Sequence, residues 1–145
     1  MRSKVINDAP ERTFALIFQT GDDVLPQLVE FARGHALAAS HFTAIGAFER
    51  LTLGYFDWQT KDYLQIPIDD QVEVVSLIGD IARKDSEPQV HAHVVVGKRD
   101  GTAHGGHLLA ATVRPTLEVI LVESPGYLAR RFDAASGLAL IDVGV

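Results

Sequence analysis

The 145-residue sequence predicts an α+β fold: a single domain with a central, mostly antiparallel β-sheet, one main helix and a short second helix. Two observations predict this class. One strong helical stripe lies near the N-terminus, and the segments after it alternate apolar and polar residues at strand spacing. One helix followed by a long run of strands is typical of an α+β domain, whereas a parallel sheet needs alternating strands and helices.

The composition supports one folded unit. Hydrophobic residues make up 47% and charged residues 22% of the chain, which suits a globular domain and excludes a disordered one. We find no repeat, linker or low-complexity stretch that would divide it. We therefore treat residues 1–145 as a single domain, with its core at about residues 13–143.

The first predicted elements are a strand and the main helix. Residues 13–19 are rich in β-forming side chains and predict a strand. Asp22 or Asp23 can cap a helix whose first turn contains Pro26. Apolar residues at helical spacing then continue to the neighbourhood of Gly34, where the helix should end.

From residue 39 onward the apolar pattern has the period of a strand. The predicted strands are 39–47, 51–57, 62–66, 71–81, 90–96, 105–113, 116–122 and 138–143. Residues 116–122 are almost continuously apolar, as in a strand buried on both faces. Pro125 and Gly126 interrupt the pattern, and residues 127–132 are predicted to form one helical turn, the short second helix.

Four of the six histidines lie within seventeen residues, and three of them are expected to meet. His91 and His93 are two apart on a predicted strand, so their side chains leave the same face. Asp-Gly within the short loop 97–101 is a strong hairpin signal. The returning segment Gly105-Gly106-His107 can therefore bring His107 beside the pair.

Three converging neutral imidazoles predict a metal site. They suit Zn²⁺, with bonds of about 2.0–2.1 Å and a fourth position open to water or substrate. Nickel, copper or iron could use the same set, and the absence of cysteine excludes thiolate ligands. A hydrogen-bond network without metal is the alternative. His104 is ambiguous because it lies only three residues before His107, whereas His35 and His41 suit ordinary hydrogen-bonding roles.

Two carboxylates are candidate catalytic residues. Glu73 and Glu118 each interrupt an apolar strand, so each faces solvent or is buried and paired. If either faces the histidines, it could orient a ligand or act as a general base on metal-bound water. Arg50 or Arg114 could then hold an anionic group of a substrate.

Charge and hydropathy restrict the partners and the location. The net charge of −6 disfavours direct DNA binding, because phosphate contacts need a basic face. No apolar run approaches the roughly 20 residues of a membrane span. The N-terminus reaches Asn7 and Asp8 before any apolar stretch forms, unlike a secretory signal. We therefore expect a cytoplasmic protein without membrane contact.

Five segments together resemble the PPC (plants and prokaryotes conserved) domain family in order and spacing. They are residues 46–57, 73–81, 91–93, 105–108 and 115–119, and the likeness runs from about Phe14 to Leu140. The resemblance implies an α+β domain with a mainly antiparallel sheet that assembles as a homotrimer. It also implies a metal ion held by His91, His93 and His107.

Two functions follow as expectations from the resemblance and the histidines. The first is a metal-binding, homotrimeric binding or scaffold module with a small-molecule or protein partner. The alternative is a metal-dependent enzyme, a hydrolase or lyase, that uses the open coordination position. Such proteins are often labelled DNA-binding by family analogy. This chain, however, has no Arg-Gly-Arg-Pro element of the AT-hook type that enters the minor groove.

Overall fold

The computed structural model describes residues 1–8, 10–126 and 128–143, which form nine β-strands and one α-helix. The elements are β1 (Arg2–Asp8), β2 (Arg12–Gln19), α1 (Val24–Gly34), β3 (Ala39–Asp57), β4 (Asp62–Ile68), β5 (Val72–Lys84), β6 (Glu87–Gly97), β7 (Ala103–Glu123), β8 (Ala129–Asp133) and β9 (Leu138–Asp142). The single helix of this part of the chain is neither long nor apolar enough to cross a membrane.

All nine strands belong to one sheet with the order β1-β2-β7-β3-β5-β8-β9, and β4 pairs with β3. Every pairing is antiparallel except a single parallel bridge between Arg83 of β5 and Ala129 of β8. Strand β6 pairs with both β5 and β7, and β3 also pairs with both. These four strands therefore form a closed ring of hydrogen-bond ladders.

The core lies inside this ring and beneath α1. Alternate residues of the strands point inward, as the period of a strand requires. The apolar stripe of α1 covers one side, with Leu28, Phe31 and Ala32 buried. The ring of Phe14 from β2 meets Phe31 edge-on, with centroids 5.2 Å apart. The largest fully buried side chains are Phe14, Phe18, Phe42, Phe48, Leu16, Leu28, Leu37, Leu53, Leu77, Ile81, Leu108 and Leu117.

The predicted fold class and the main helix are confirmed, and the helix begins after Asp23 and ends at Gly34 as predicted. The predicted strand breaks near residues 48–50 and 114–115 are wrong, because β3 and β7 run through them. The pairing of β3 with β7 shifts its register at several points, and both strands continue past these points. At one of them Gly46 has φ +150°, and a Cβ there would lie 2.3 Å from the carbonyl oxygen of Thr116.

The predicted short second helix at residues 127–132 is wrong: Ala129–Asp133 is strand β8, while Tyr127 lies outside the described residues. Backbone pairing explains the difference. The N–H of Leu128 donates to Ala38 at 2.9 Å, the N–H of Arg83 donates to Leu128 at 2.8 Å, and β8 then pairs with β9. Long-range pairing thus overrides the local helical pattern. Residues 2–8, for which the sequence predicts no element, form β1.

Candidate metal centre

The hairpin of β6 and β7 brings the predicted histidines together. Its turn is closed by the N–H of Lys98, which donates to Thr102 at 2.8 Å, and by Gly101, which has φ +83°. The resulting register places His93 directly opposite His107. The hairpin therefore forms as the Asp-Gly signal predicts.

The three imidazoles converge on one point. The Nε2 atoms of His91 and His93 are 3.2 Å apart, and one ligand atom from each of the three rings lies within 4.8 Å of the others. Tetrahedral zinc with bonds of 2.0–2.1 Å requires ligand nitrogens about 3.3 Å apart. The separation between His91 and His93 is close to that value, so little movement would let both rings bind one ion.

Strand alternation turns these rings away from the core. Ala92 and Val94 of β6 point inward and are buried, whereas His93 is exposed and His91 is half-buried on the outer face. The Nδ1 atom of His107 is buried and has no hydrogen-bond partner. A buried ring nitrogen without a partner is costly for a protein, and a metal ion bound to this atom would remove that cost.

The pKa values of two histidines favour the neutral ring that a metal requires. Burial, together with the charges of His91 and His93, lowers the pKa of His107 to about 4. Burial also lowers the pKa of His93, with His91 contributing. Both rings are therefore neutral at pH 7 and keep a lone pair for coordination.

Two neighbours hold the histidine rings from the side. The carboxylate Oδ2 of Asp80 lies 3.4 Å from Nδ1 of His91, and the other oxygen of Asp80 binds Arg130. Burial alone would raise the pKa of Asp80, but the hydrogen bond from His91 and the charge of Arg130 outweigh it and keep that pKa below its usual value. On the other side Tyr63 stacks on His107, with ring centroids 4.8 Å apart.

Glu73 and Glu118 do not lie with the histidines. Both are exposed and line a separate open groove of about 470 Å³, together with Ile45 and Thr116. In the register Glu118 lies opposite Ile45 rather than beside β6. The expectation that the whole strand around Glu118 is buried is wrong, because β7 alternates buried and exposed residues there.

The remaining predicted polar residues also lie elsewhere. His104 is exposed opposite Val96, and its odd spacing from His107 places it on the other face of β7. Arg114 and Arg50 lie 3.1 and 3.9 Å from the carboxylate of Glu49. None of these contacts reaches the histidine cluster.

The other two histidines lie outside the cluster as well. His35 stacks on Phe31, with ring centroids 4.1 Å apart, and its Nδ1 lies 3.0 Å from the carbonyl oxygen of Phe31. His41 is exposed on β3 and is a register neighbour of Asp80.

Asp80, Arg130 and Tyr63 lie around the histidine cluster but are not among the residues predicted from the sequence. A signal existed for Asp80, because it is a charged residue inside the apolar segment 73–81, just as Glu73 is. For Arg130 there was none: it lies 50 residues from Asp80, in a segment with a helical pattern. Tyr63 follows from the pairing of β4 with β3, which a single sequence does not give.

Comparisons with known proteins agree with this arrangement. The family model of the Plants and Prokaryotes Conserved (PCC) domain matches residues 6–125. A plant- and prokaryote-conserved protein from Pyrococcus horikoshii is 33% identical, with a TM-score of 0.86 over 90% of this chain and 91% of that one. A metal-containing protein from Archaeoglobus fulgidus is 35% identical, with a TM-score of 0.84 over 97% and 96%.

Two further relatives carry other descriptions. A candidate DNA-binding protein from Ralstonia eutropha JMP134 is 28% identical, with a TM-score of 0.85 over 90% of each chain. The bifunctional protein GlmU from Synechococcus sp. (strain JA-3-3Ab) is 32% identical over 129 residues, which are 87% of this chain. The match spans 20% of that curated relative's length, so its name describes a much longer protein.

Proposed function

Because the chain belongs to the Plants and Prokaryotes Conserved (PCC) domain family, we propose that it is a metal-binding module whose ligands are His91, His93 and His107. The observation that carries the proposal is the convergence of the three imidazoles, whose ligand atoms lie within 4.8 Å of one another, and the buried, unpartnered Nδ1 of His107 adds to it. A metal-containing relative of the same fold supports it. Zinc is the ion we propose first, since a three-nitrogen set with an open position suits it.

The chain's own residues favour binding over hydrolysis. A bound zinc ion would supply a Lewis acid and an acidified water at the open position. Among the described residues, the carboxylate that contacts the histidine cluster is Asp80, and His91 and Arg130 already hold it. Glu73 and Glu118 line a different groove. A binding or scaffold role is therefore the first proposal. A metal-dependent hydrolase or lyase is the second, because the exposed ring of His93 leaves the site open to a substrate.

Metal content is the direct test. Untagged protein should carry about one equivalent of zinc or another divalent metal per chain, measured by plasma mass spectrometry. The double variant His91→Ala/His93→Ala should lose it, because two of three ligands are gone. His104→Ala is the matched control, since this exposed histidine lies outside the cluster. If wild-type protein binds no metal even after zinc is added, the ligand assignment is wrong.

We also propose that the module assembles as a homotrimer through the outer face of its sheet. Exposed apolar residues cover this face beside the histidines, and a large exposed apolar patch is typical of an interface. In the register Ile120, Thr43 and Ile78 form a row that leads to His93. The exposed apolar side chains of the face are Ile45, Val75, Ile78, Val95 and Ile120.

Light scattering after gel filtration tests the assembly. We expect three times the chain mass of 15.8 kDa. Ile78→Glu should shift the protein toward the monomer, because a charge at a covered apolar face is costly. Val143→Glu is the control, since Val143 is exposed and follows β9, whereas the residues of the face lie on β3, β5, β6 and β7. Wild-type protein that runs as a monomer at high concentration would exclude the homotrimer.

The partner we propose is a protein or small molecule rather than DNA. The net charge of −6 opposes phosphate binding, even though one relative is a candidate DNA-binding protein. Fluorescence anisotropy with labelled duplex DNA at low salt tests this. Binding that weakens steeply with added salt would restore the DNA-binding alternative.

A further inference from the structure

We infer that Arg130, on the C-terminal hairpin of β8 and β9, is a positioning residue that fixes the His91 ring through Asp80. The inference rests on the proposed metal-binding function and adds a role for a segment beyond the part that the family model matches. That match ends at residue 125, whereas β8 and β9 occupy Ala129–Asp142. The C-terminal hairpin would thus complete a site whose ligands all lie earlier in the chain.

Arg130 is buried with its charge directed at Asp80. Its side chain is 6% exposed, Nη2 binds Oδ1 of Asp80, and Nη1 donates to the carbonyl oxygen of Ala139 at 3.3 Å. A buried guanidinium without its carboxylate would be strongly destabilising. Arg130 therefore constrains the carboxylate of Asp80 to one orientation.

The second oxygen of Asp80 is thereby left for His91. Oδ2 lies 3.4 Å from Nδ1 of His91, while Nε2 of the same ring faces His93 at 3.2 Å. A carboxylate at Nδ1 keeps the proton on that nitrogen and leaves Nε2 free to coordinate. Such outer contacts to metal-ligating histidines commonly change metal affinity 10–100-fold.

The hairpin that carries Arg130 is attached to the rest of the protein at its start and at its turn. At its start Leu128 and Ala129 pair with the backbone of Ala38 and Arg83. At its turn the carbonyl oxygen of Ala135 accepts a hydrogen bond from Nζ of Lys61 at 2.7 Å. Lys61 precedes β4, the strand of Tyr63, which stacks on His107. The placement of Arg130 is therefore held from β5 at one end and from the β3–β4 connection at the other.

The test compares Arg130→Met with Arg131→Met. Arg131 is the matched control, because it lies on the same strand and pairs with Asp142 at 2.8 Å, away from Asp80. The first measurement is the tautomer of His91 in metal-free protein, read from two-dimensional ¹⁵N–¹H spectra of the imidazole rings at neutral pH. The second is zinc affinity, measured by competition with a chromophoric chelator.

Wild-type protein and Arg131→Met should show His91 protonated at Nδ1, and Arg130→Met should show a mixture of tautomers with zinc affinity lowered about 10-fold or more. Asp80→Asn should lower zinc affinity as well. If Arg130→Met does not fold, Arg130→Lys keeps the buried charge. It should shift the tautomer partway, since an ammonium lacks the planar fork that binds Asp80 and Ala139 together.

The possible failures are distinguishable. If Arg130→Met binds zinc as tightly as wild type and keeps the same His91 tautomer, the inference is overturned and the metal site stands. If wild-type protein binds no zinc but its His91 tautomer depends on Arg130, the proposed function fails while the positioning contact remains.

Discussion

Replacing Gly79 by alanine should destabilise the protein and disturb the histidine site at the same time. Gly79 lies on β5 between the ring of Phe42 and the backbone of His91. A Cβ at this position would lie 2.4 Å from Cζ of Phe42 and 2.6 Å from the carbonyl oxygen of His91. Neither neighbour can yield easily, because Phe42 is 1% exposed and the His91 oxygen belongs to a paired strand.

The magnitude follows from two opposing effects. Overpacking a closed core costs about 1–3 kcal/mol. Reduced freedom of the unfolded chain returns about 0.4–1 kcal/mol when glycine becomes alanine. The expected net loss is therefore about 1–2 kcal/mol of the free energy of unfolding. With a urea m-value of about 1–3 kcal/mol/M, the midpoint should fall by roughly 0.5–1 M.

Urea unfolding of metal-free protein, followed by circular dichroism, measures this loss. Gly34→Ala is the control, because a Cβ there meets nothing within 4 Å and alanine suits a helix. We expect Gly34→Ala to keep or raise the midpoint and Gly79→Ala to lower it. A Gly79→Ala midpoint equal to or above the wild-type value would refute the close packing of Phe42 and His91 around Gly79.

Three further outcomes follow from buried or separated polar groups. Glu123 is a buried carboxylate that accepts hydrogen bonds from two backbone N–H groups and from Ser40. Glu123→Gln should therefore lower the free energy of unfolding by about 1–3 kcal/mol. Thermal unfolding measures this, and an unchanged Tm would contradict it. Metal-free protein should lose stability as pH falls from about 6.5 to about 4, because unfolded His107 takes up a proton that the folded ring resists. After a discount for solvent screening at this half-buried ring, the loss should be about 1 kcal/mol. It should become smaller in His107→Gln, while the part that comes from His93 remains, because burial lowers the pKa of His93 too. Glu73→Gln and Glu118→Gln should leave zinc affinity unchanged, since both glutamates line a different groove. A 10-fold loss of affinity in either variant would show that its glutamate contributes to the metal site.

The features that the sequence predicts well are those encoded locally. The limits of α1 lie at Asp23 and Gly34 as predicted, within one short segment, although Asp23 makes no side-chain capping hydrogen bond and its Oδ1 accepts one from Thr112 instead. The meeting of His93 with His107 follows from strand period and a tight turn, both readable over seventeen residues. In these cases the contacts that stabilise the structure are close in the sequence, so a single chain carries the information.

The features that the sequence does not predict depend on distant pairing. Ala129–Asp133 has a helical pattern but forms a strand, because β9 and the backbone near Ala38 and Arg83 offer it partners. The contact of Arg130 with Asp80 spans 50 residues and follows only from that misassigned strand. The apolar run 116–122 predicts a strand buried on both faces, but one face of that sheet is left uncovered within the chain, and Glu118 lies exposed on it.

The closed ring of β3, β5, β6 and β7 affects how a metal ion would bind and dissociate. Between residues 93 and 97, β6 has a hydrogen-bonded neighbour on each side, and the same holds for the part of β7 that carries His107. Backbone ladders, not the ion, therefore set the spacing of the ligands. In small zinc domains that are unfolded without metal, removal of the ion destroys the site. Here the three histidines should keep their positions after a chelator removes a bound ion. An ion at this site would therefore exchange with metal in solution while the protein stays folded.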